Sequence, residues 1–219
     1  MGFENSEQSR VTYVGIFEGE LTIRAKEGDE GAVKRKNKNG KEVWEFHHDK
    51  FTGTLVNVEC IKSDTIGFQY VVWLDDFGTS YKLSISVESK YGDNFASKLL
   101  SLKKGDMLTL APYDFKDKND KKNVGISITR GGEKIPALIT KDNPMGRPQP
   151  TSDKMDEDEW KAYMIVVRKF YKGLVDKWQE KNANSFAGYE QKPNSSNIET
   201  AIGNNNEFDD DLGFKFTRQ

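Results

Sequence analysis

The sequence predicts a mainly β fold that ends in one long helix, and three observations carry that prediction. Apolar side chains recur at every second position through much of residues 11–140, as in Val56-Asn57-Val58-Glu59-Cys60 and Lys82-Leu83-Ser84-Ile85-Ser86-Val87, which is the spacing of half-buried antiparallel strands. Turn chemistry punctuates those runs at Asn39-Gly40 and Asp75-Asp76-Phe77-Gly78. From about Asp156 the period changes, and Trp160, Tyr163, Met164, Val167, Phe170, Tyr171, Leu174 and Trp178 fall on one stripe at helical spacing.

Residues 1–10 hold no apolar run and are expected to be a flexible N-terminus without a signal peptide; Met1-Gly2 opens a loose myristoylation pattern that no basic cluster follows. In 11–140, Val33–Lys38 and Lys41–Phe46 should pair about a two-residue type I′ turn, because Asn39 and Gly40 both tolerate positive φ. That register sets Lys38 opposite Lys41, Lys36 opposite Val43 and Arg35 opposite Trp44. A second hairpin should join Phe68–Leu74 to Ser80–Val87, and a third Met107–Tyr113 to Val124–Thr129 through a lysine-rich connection. Between them, Phe95, Leu99 and Leu102 repeat at i, i+4, i+7, and Lys103-Lys104-Gly105 closes a short amphipathic helix over Tyr91–Leu102. Three strand regions, a helix and two more strands is the order of a five-stranded OB-fold Greek-key barrel, here with an added N-terminal hairpin.

Residues 141–155 hold three of the six prolines and read as a linker. Residues 156–182 read as an amphipathic helix, with Asp156-Glu157-Asp158-Glu159 at the positive end of its dipole and Lys177 and Lys181 at the negative end. Its stripe must bury against something, and a second copy of the chain is one candidate, so a homo-oligomer through 156–182 is among the expected partners. The segment 183–219, rich in Asn and Ser with six acidic and three basic residues, is expected to be a disordered acidic tail.

Composition excludes several classes. The 219 residues are about 44% apolar once glycine is included, near the globular share, and the longest strongly apolar run, Met164-Ile165-Val166-Val167, is far short of a bilayer span. With 33 basic and 35 acidic residues, attraction to a polyanion must come from the distribution of charge. One cysteine, Cys60, rules out an intrachain disulfide and any multi-cysteine zinc site. His47 and His48 are adjacent in a strand or turn and point apart, so they do not share a metal. Asp75-Asp76 and Asp209-Asp210-Asp211 are not pre-organised for a nuclease metal, and there is no Gly-rich phosphate loop and no nucleophile with a local base signature. No enzyme activity, cofactor or metal is expected.

Basic residues cluster in two windows, each net +3: Lys34, Arg35, Lys36, Lys38, Lys41 and Lys50 against three acids, and Lys116, Lys118, Lys121, Lys122, Arg130 and Lys134 against three. Aromatics interleave with them. Parity puts Tyr70, Val72, Leu74, Tyr81, Leu83, Ile85, Leu108 and Leu110 in the core, leaves Val71 and Trp73 outward near Lys82 or Ser80 and Ser84, and sends Tyr113 and Phe115 to the face opposite the core. Lysines that track phosphates, beside flat rings on which unpaired bases stack, suit single-stranded nucleic acid. The candidate binding set is Lys34, Arg35, Lys36, Lys38, Lys41, Trp44, Trp73, Lys82, Tyr113, Phe115, Lys116, Lys118, Lys121, Lys122 and Arg130. The competing readings are lysines that only guard an exposed edge and aromatics that pack beneath the extra hairpin or the helix.

The run Leu99-Leu100-Ser101-Leu102-Lys103-Lys104-Gly105-Asp106-Met107-Leu108-Thr109-Leu110 resembles the helix-to-fourth-strand junction of OB-fold single-stranded DNA-binding proteins. The Asn/Ser-rich segment that leads to Glu207, Phe208, Asp209, Asp210, Asp211, Leu212, Gly213 and Phe214 is similar to the acidic tip with which bacterial and phage members recruit replication and repair enzymes. In the family that phenylalanine is usually terminal, whereas Lys215-Phe216-Thr217-Arg218-Gln219 follow it here. The order of parts matches over nearly the whole chain, and the long helix is closer to phage-type variants. The resemblance implies a non-catalytic protein that coats and protects single-stranded DNA in phage replication, recombination and repair, in the cytoplasm of a bacterial host, with replication or recombination proteins as partners of the tail. The alternatives are an all-β structural or protein-interaction module, and a metal-dependent nuclease.

Overall fold

The computed structural model describes residues 11–37, 40–63, 67–152 and 154–183. Alternation builds strands as the pattern requires: β1 (Thr12–Phe17), β2 (Glu20–Ala25), β3 (Val33–Lys36), β4 (Glu42–His48), β5 (Phe51–Ser63), β6 (Gly67–Asp76) and β7 (Thr79–Ser86) precede helix α1 (Lys90–Leu99). After it come β8 (Met107–Lys116), β9 (Lys122–Arg130), β10 (Glu133–Lys134) and helix α2 (Glu157–Asn182). Among the described residues all ten strands form one sheet, in the order β10-β9-β8-β5-β6-β7-β1-β2-β4-β3. β1 and β7 run parallel, with Thr12 opposite Tyr81 and Val14 opposite Leu83, so the sheet is mixed.

The closed five-stranded barrel is not formed. The strands expected for it are present as β5 to β9, in the expected order around α1, but β7 pairs with β1, and no ladder joins β7 to β9 among the described residues. Helix α1 occupies that seam. Asn94 Oδ1 accepts the Ile126 amide at 3.0 Å and Lys98 Nζ donates to the Ile126 carbonyl at 2.5 Å, so helix side chains satisfy the edge groups of β9 that a strand would otherwise take. Burial there pushes the Lys98 ammonium down to about 8. The open sheet still curls on itself. Gly19, in the β1–β2 turn at φ +88°, approaches β8 so closely that a Cβ would lie 2.6 Å from the Asp114 amide nitrogen.

Parity holds for the core. Leu55, Val58, Tyr70, Val72, Leu74, Leu83, Ile85, Leu108, Leu110, Ile126 and Ile128 are at most 2% exposed and close on Phe95 and Leu99 of α1. The β6–β7 turn takes the two-residue form, with Asp76 opposite Thr79 and both Phe77 and Gly78 at positive φ, which fixes Trp73 opposite Lys82.

The first hairpin differs from expectation by one residue. Asn37 donates its amide to the Lys41 carbonyl at 2.8 Å and accepts the Lys41 amide on its side-chain oxygen at 2.8 Å, which leaves three residues, 38–40, between them. The asparagine side chain thus performs the closing hydrogen bond, and Gly40 at φ +75° completes a three-residue loop. Lys34 therefore faces Trp44, Arg35 faces Val43 and Lys36 faces Glu42. Lys38 and Asn39 lie outside the described residues.

Helix α2 starts on a capping box, in which Asp156 accepts the amides of Asp158 and Glu159 and the Glu159 side chain returns to the Asp156 amide. The chain itself covers most of the stripe: Met164, Val167, Tyr171, Leu174, Val175 and Trp178 are buried in the main core. The Trp178 indole donates to the Leu102 carbonyl at 2.9 Å, Gln179 donates to the Val58 carbonyl at 2.9 Å, and Tyr171 donates to Asp93. Arg147 reaches Asp93 at 2.8 Å and so ties the Pro-rich connection to α1. Burial of the stripe does not by itself call for a second copy of the chain. Among the described residues no helix is long and apolar enough to cross a membrane.

Candidate nucleic-acid interface

Alternation leaves one face of β6, β7 and β1 pointing away from the core. On it the pairing register sets Trp73 opposite Lys82 and Lys82 opposite Tyr13, a row across three adjacent strands. The Lys82 ammonium lies 3.9 Å from the centroid of the Trp73 ring and 5.4 Å from that of Tyr13. Burial lowers its pKa and the nearby Glu59 carboxylate opposes that shift. Glu59 is held by a hydrogen bond from the Asn57 amide at 3.0 Å. The Trp73 indole nitrogen is buried with no hydrogen-bond partner among the described residues. Val71, expected outward, does lie on this face but is 6% exposed.

Glu59 is an unfavourable charge beside this row for an approaching phosphate. Glu59→Gln should therefore strengthen binding of a single-stranded oligonucleotide by about 0.5–1 kcal/mol at low salt, and the gain should vanish as salt is raised. A titration at two ionic strengths checks this.

The same side of the sheet continues through Thr54, opposite Asp75, and Thr52, opposite Thr109, to Tyr113 and Phe115. These two rings lie 5.8 Å apart, and Phe115 is 55% exposed. Tyr113 lies against Gly125, where a Cβ would sit 2.5 Å from the phenolic oxygen, so the glycine permits the close approach of this ring. Beyond them the β8–β9 tip turns on Asp117, whose Oδ1 accepts the amides of Asn119 at 2.8 Å and Lys121 at 3.0 Å. Lys116 pairs with Asp120 and Lys122 with Asp114, while Lys118 and Lys121 are exposed at the tip. Replacing Lys118 or Lys121 with alanine should lower the slope of log affinity against log salt by roughly 0.7 for each phosphate that is no longer neutralised.

Lys34, Lys36, Trp44 and Arg130 fall on the other side of the sheet, and Arg35 shares the face of Tyr13 only as part of a buried ion group. The shifted register places Trp44 with Lys34 and Lys36, and Lys34 Nζ lies 5.8 Å from the Trp44 ring and 2.6 Å from Glu42. Pairing of Trp44 with Ala25, and of Ile23 with both Phe46 and the core residue Val14, puts that group on the opposite side of the sheet from Trp73. Lys41 is exposed beside the loop. Arg35 is committed within the fold. Its Nε and Nη2 reach the two oxygens of Glu45 at 2.6 and 3.1 Å, and its guanidinium lies 4.3 Å from the Phe17 ring. Arg24 approaches the same carboxylate at 3.2 Å, so Glu45, 3% exposed, is a buried anion held between two guanidinium groups. Arg130 donates to the Ser101 carbonyl at 2.8 Å and pairs with Asp106 at 2.6 Å, which holds the α1–β8 connection.

Sequence reasoning missed Tyr13 and Glu59. Val14 and Ile16 alternate with Tyr13 and mark it as outward, but its place beside Lys82 depends on a parallel pairing that no turn announces. His47 pairs with Glu20 at 2.6 Å, while His48 is exposed. Burial pushes the Cys60 thiol up to about 11, and no group of three or more metal-ligating side chains occurs among the described residues. Glu207, Phe208, Asp209, Asp210, Asp211, Leu212 and Phe214 lie outside the described residues.

No protein-family model matches the sequence, and no curated protein matches it significantly.

Proposed function

We propose that the chain is a non-catalytic single-stranded DNA-binding protein, and that β5 to β9 with α1 are an opened variant of the OB fold. The carrying observation is the Trp73–Lys82–Tyr13 row on the face turned away from the core. It joins ring surfaces for unpaired bases to a cation for phosphate, and the Tyr113–Phe115 pair with the tip lysines repeats that combination on the same side. Duplex DNA is less well served, because α1 packs on the core and the outward side of α2 mixes Lys161, Lys169 and Lys172 with Ile165, Val166 and Asp176. In this reading the protein coats single strands during phage replication, recombination and repair, and the acidic segment around Phe208 and Phe214 recruits the enzymes that act there. Competition tests it: unlabelled oligo(dT) should displace labelled oligo(dT) at stoichiometric levels, and duplex of equal length should fail to do so in large excess.

A second reading has its own support. Lys34, Lys116 and Lys122 each pair with a neighbouring carboxylate, as lysines do on a hairpin that serves only solubility. On that reading the domain is a protein-interaction module, and neither competitor changes anything because no complex forms.

A further inference from the structure

We propose that Lys82 holds the place of a nucleobase between Tyr13 and Trp73 in the DNA-free protein, and that a base of single-stranded DNA enters as the ammonium leaves for a phosphate. This rests on the single-stranded DNA reading above and assigns how one subsite of that face is opened.

The geometry supplies the slot. Trp73 and Tyr13 stand on strands that flank β7, so about two strand spacings, roughly 9.5 Å, separate their backbones. One base occupies about 3.4 Å of a stack, so a base with a ring on each side needs roughly 7 Å, which two side chains leaning inward provide. The Lys82 ammonium now fills that space, 3.9 Å from one ring centroid and 5.4 Å from the other. It is a replaceable occupant. A desolvated ammonium over two rings gains a cation–π contact, but a phosphate offers a charge-assisted hydrogen bond, and the flexible four-carbon stem lets the head move between the two. Glu59 draws the ammonium towards β5, which is a direction of exit along the same face.

A lysine that must be displaced lowers the part of the affinity that depends on bases while supplying part that depends on phosphates. Lys82→Ala separates the two. The full chain is titrated with an oligo(dT) and with an abasic oligonucleotide of equal length and phosphate count. In the wild type the ratio of the two affinities should exceed one. In Lys82→Ala the ratio should rise about threefold or more, although binding of the abasic strand weakens and its salt slope falls by roughly 0.7. In Tyr13→Ala and Trp73→Ala the ratio should fall. A ratio that is unchanged or lower in Lys82→Ala overturns the inference.

A second measurement needs no variant that could misfold. In the free wild-type protein the two rings should shift the Lys82 ε-methylene resonance upfield, and saturating oligo(dT) should return it to the ordinary lysine position. A signal that stays upfield at saturation overturns the inference while leaving single-stranded DNA binding intact. Equal wild-type affinity for both strands does the same, since bases then contribute nothing. A wild type that binds neither strand overturns the functional reading and this inference together.

Discussion

Trp178→Ala should cost the fold about 3–5 kcal/mol, the usual loss when a buried tryptophan is truncated in a packed core. The indole is 1% exposed, stands in the same cluster as Leu99, Leu102 and Val58, and donates to the Leu102 carbonyl, so the substitution opens a cavity and leaves that acceptor without its donor. Denaturant unfolding should show a lower midpoint with a single cooperative transition, because α2 belongs to the same core as the sheet. Trp160→Ala is the control: its side chain is 38% exposed at the start of the same helix, and its loss should stay within about 1 kcal/mol. Similar small losses for both variants would detach α2 from the core and return the stripe to the role of an oligomer seam.

Trp73→Ala should act on binding instead of folding. The affinity for oligo(dT) should fall by about 1–3 kcal/mol, the value of one stacked base, and fluorescence quenching on binding should shrink. Its ring carries Lys82 on the face away from the core, while Tyr70, Val72 and Leu74 of the same strand hold the core side, so the strand keeps its packing when the indole is removed. Unchanged affinity in a correctly folded Trp73→Ala protein would take this residue out of the interface.

What could be read from the sequence follows from which interactions are local. Alternation through Leu83 and Ile85 marked Trp73 as outward but left Lys82 or Ser80 as its neighbour, and the two-residue Phe77-Gly78 turn of the structure sets it beside Lys82. The helical stripe of α2 was equally plain, and its bounds agree with the structure to within a residue or two, since the capping box at Asp156 marks the start. The first hairpin failed on one side chain: Asn39-Gly40 is the stronger turn signal, but Asn37 accepts the Lys41 amide and takes one residue out of the ladder. That slip changes which side chains of β3 share the face of Trp44, Lys34 and Lys36 instead of Arg35, because side chains alternate with period two. Barrel closure was unreadable for a different reason. Whether β7 meets β9 or β1 is a contest between distant segments, decided here by Asn94 and Lys98 of α1, which take up the edge of β9. The commitment of Arg35 to Glu45 is likewise tertiary, and a sequence window shows only a basic residue in a basic run.

One measurement bears most directly on the claim that this face binds single-stranded DNA: the affinity of the full chain for labelled oligo(dT) across a series of salt concentrations. Log affinity should fall linearly with log salt, with a slope of roughly −0.7 for each phosphate neutralised, and a residual affinity should persist where the salt-dependent part has been screened, because stacking on Trp73, Tyr13 and Tyr113 is not ionic. No binding at low salt, or binding whose strength does not respond to salt, would contradict the account.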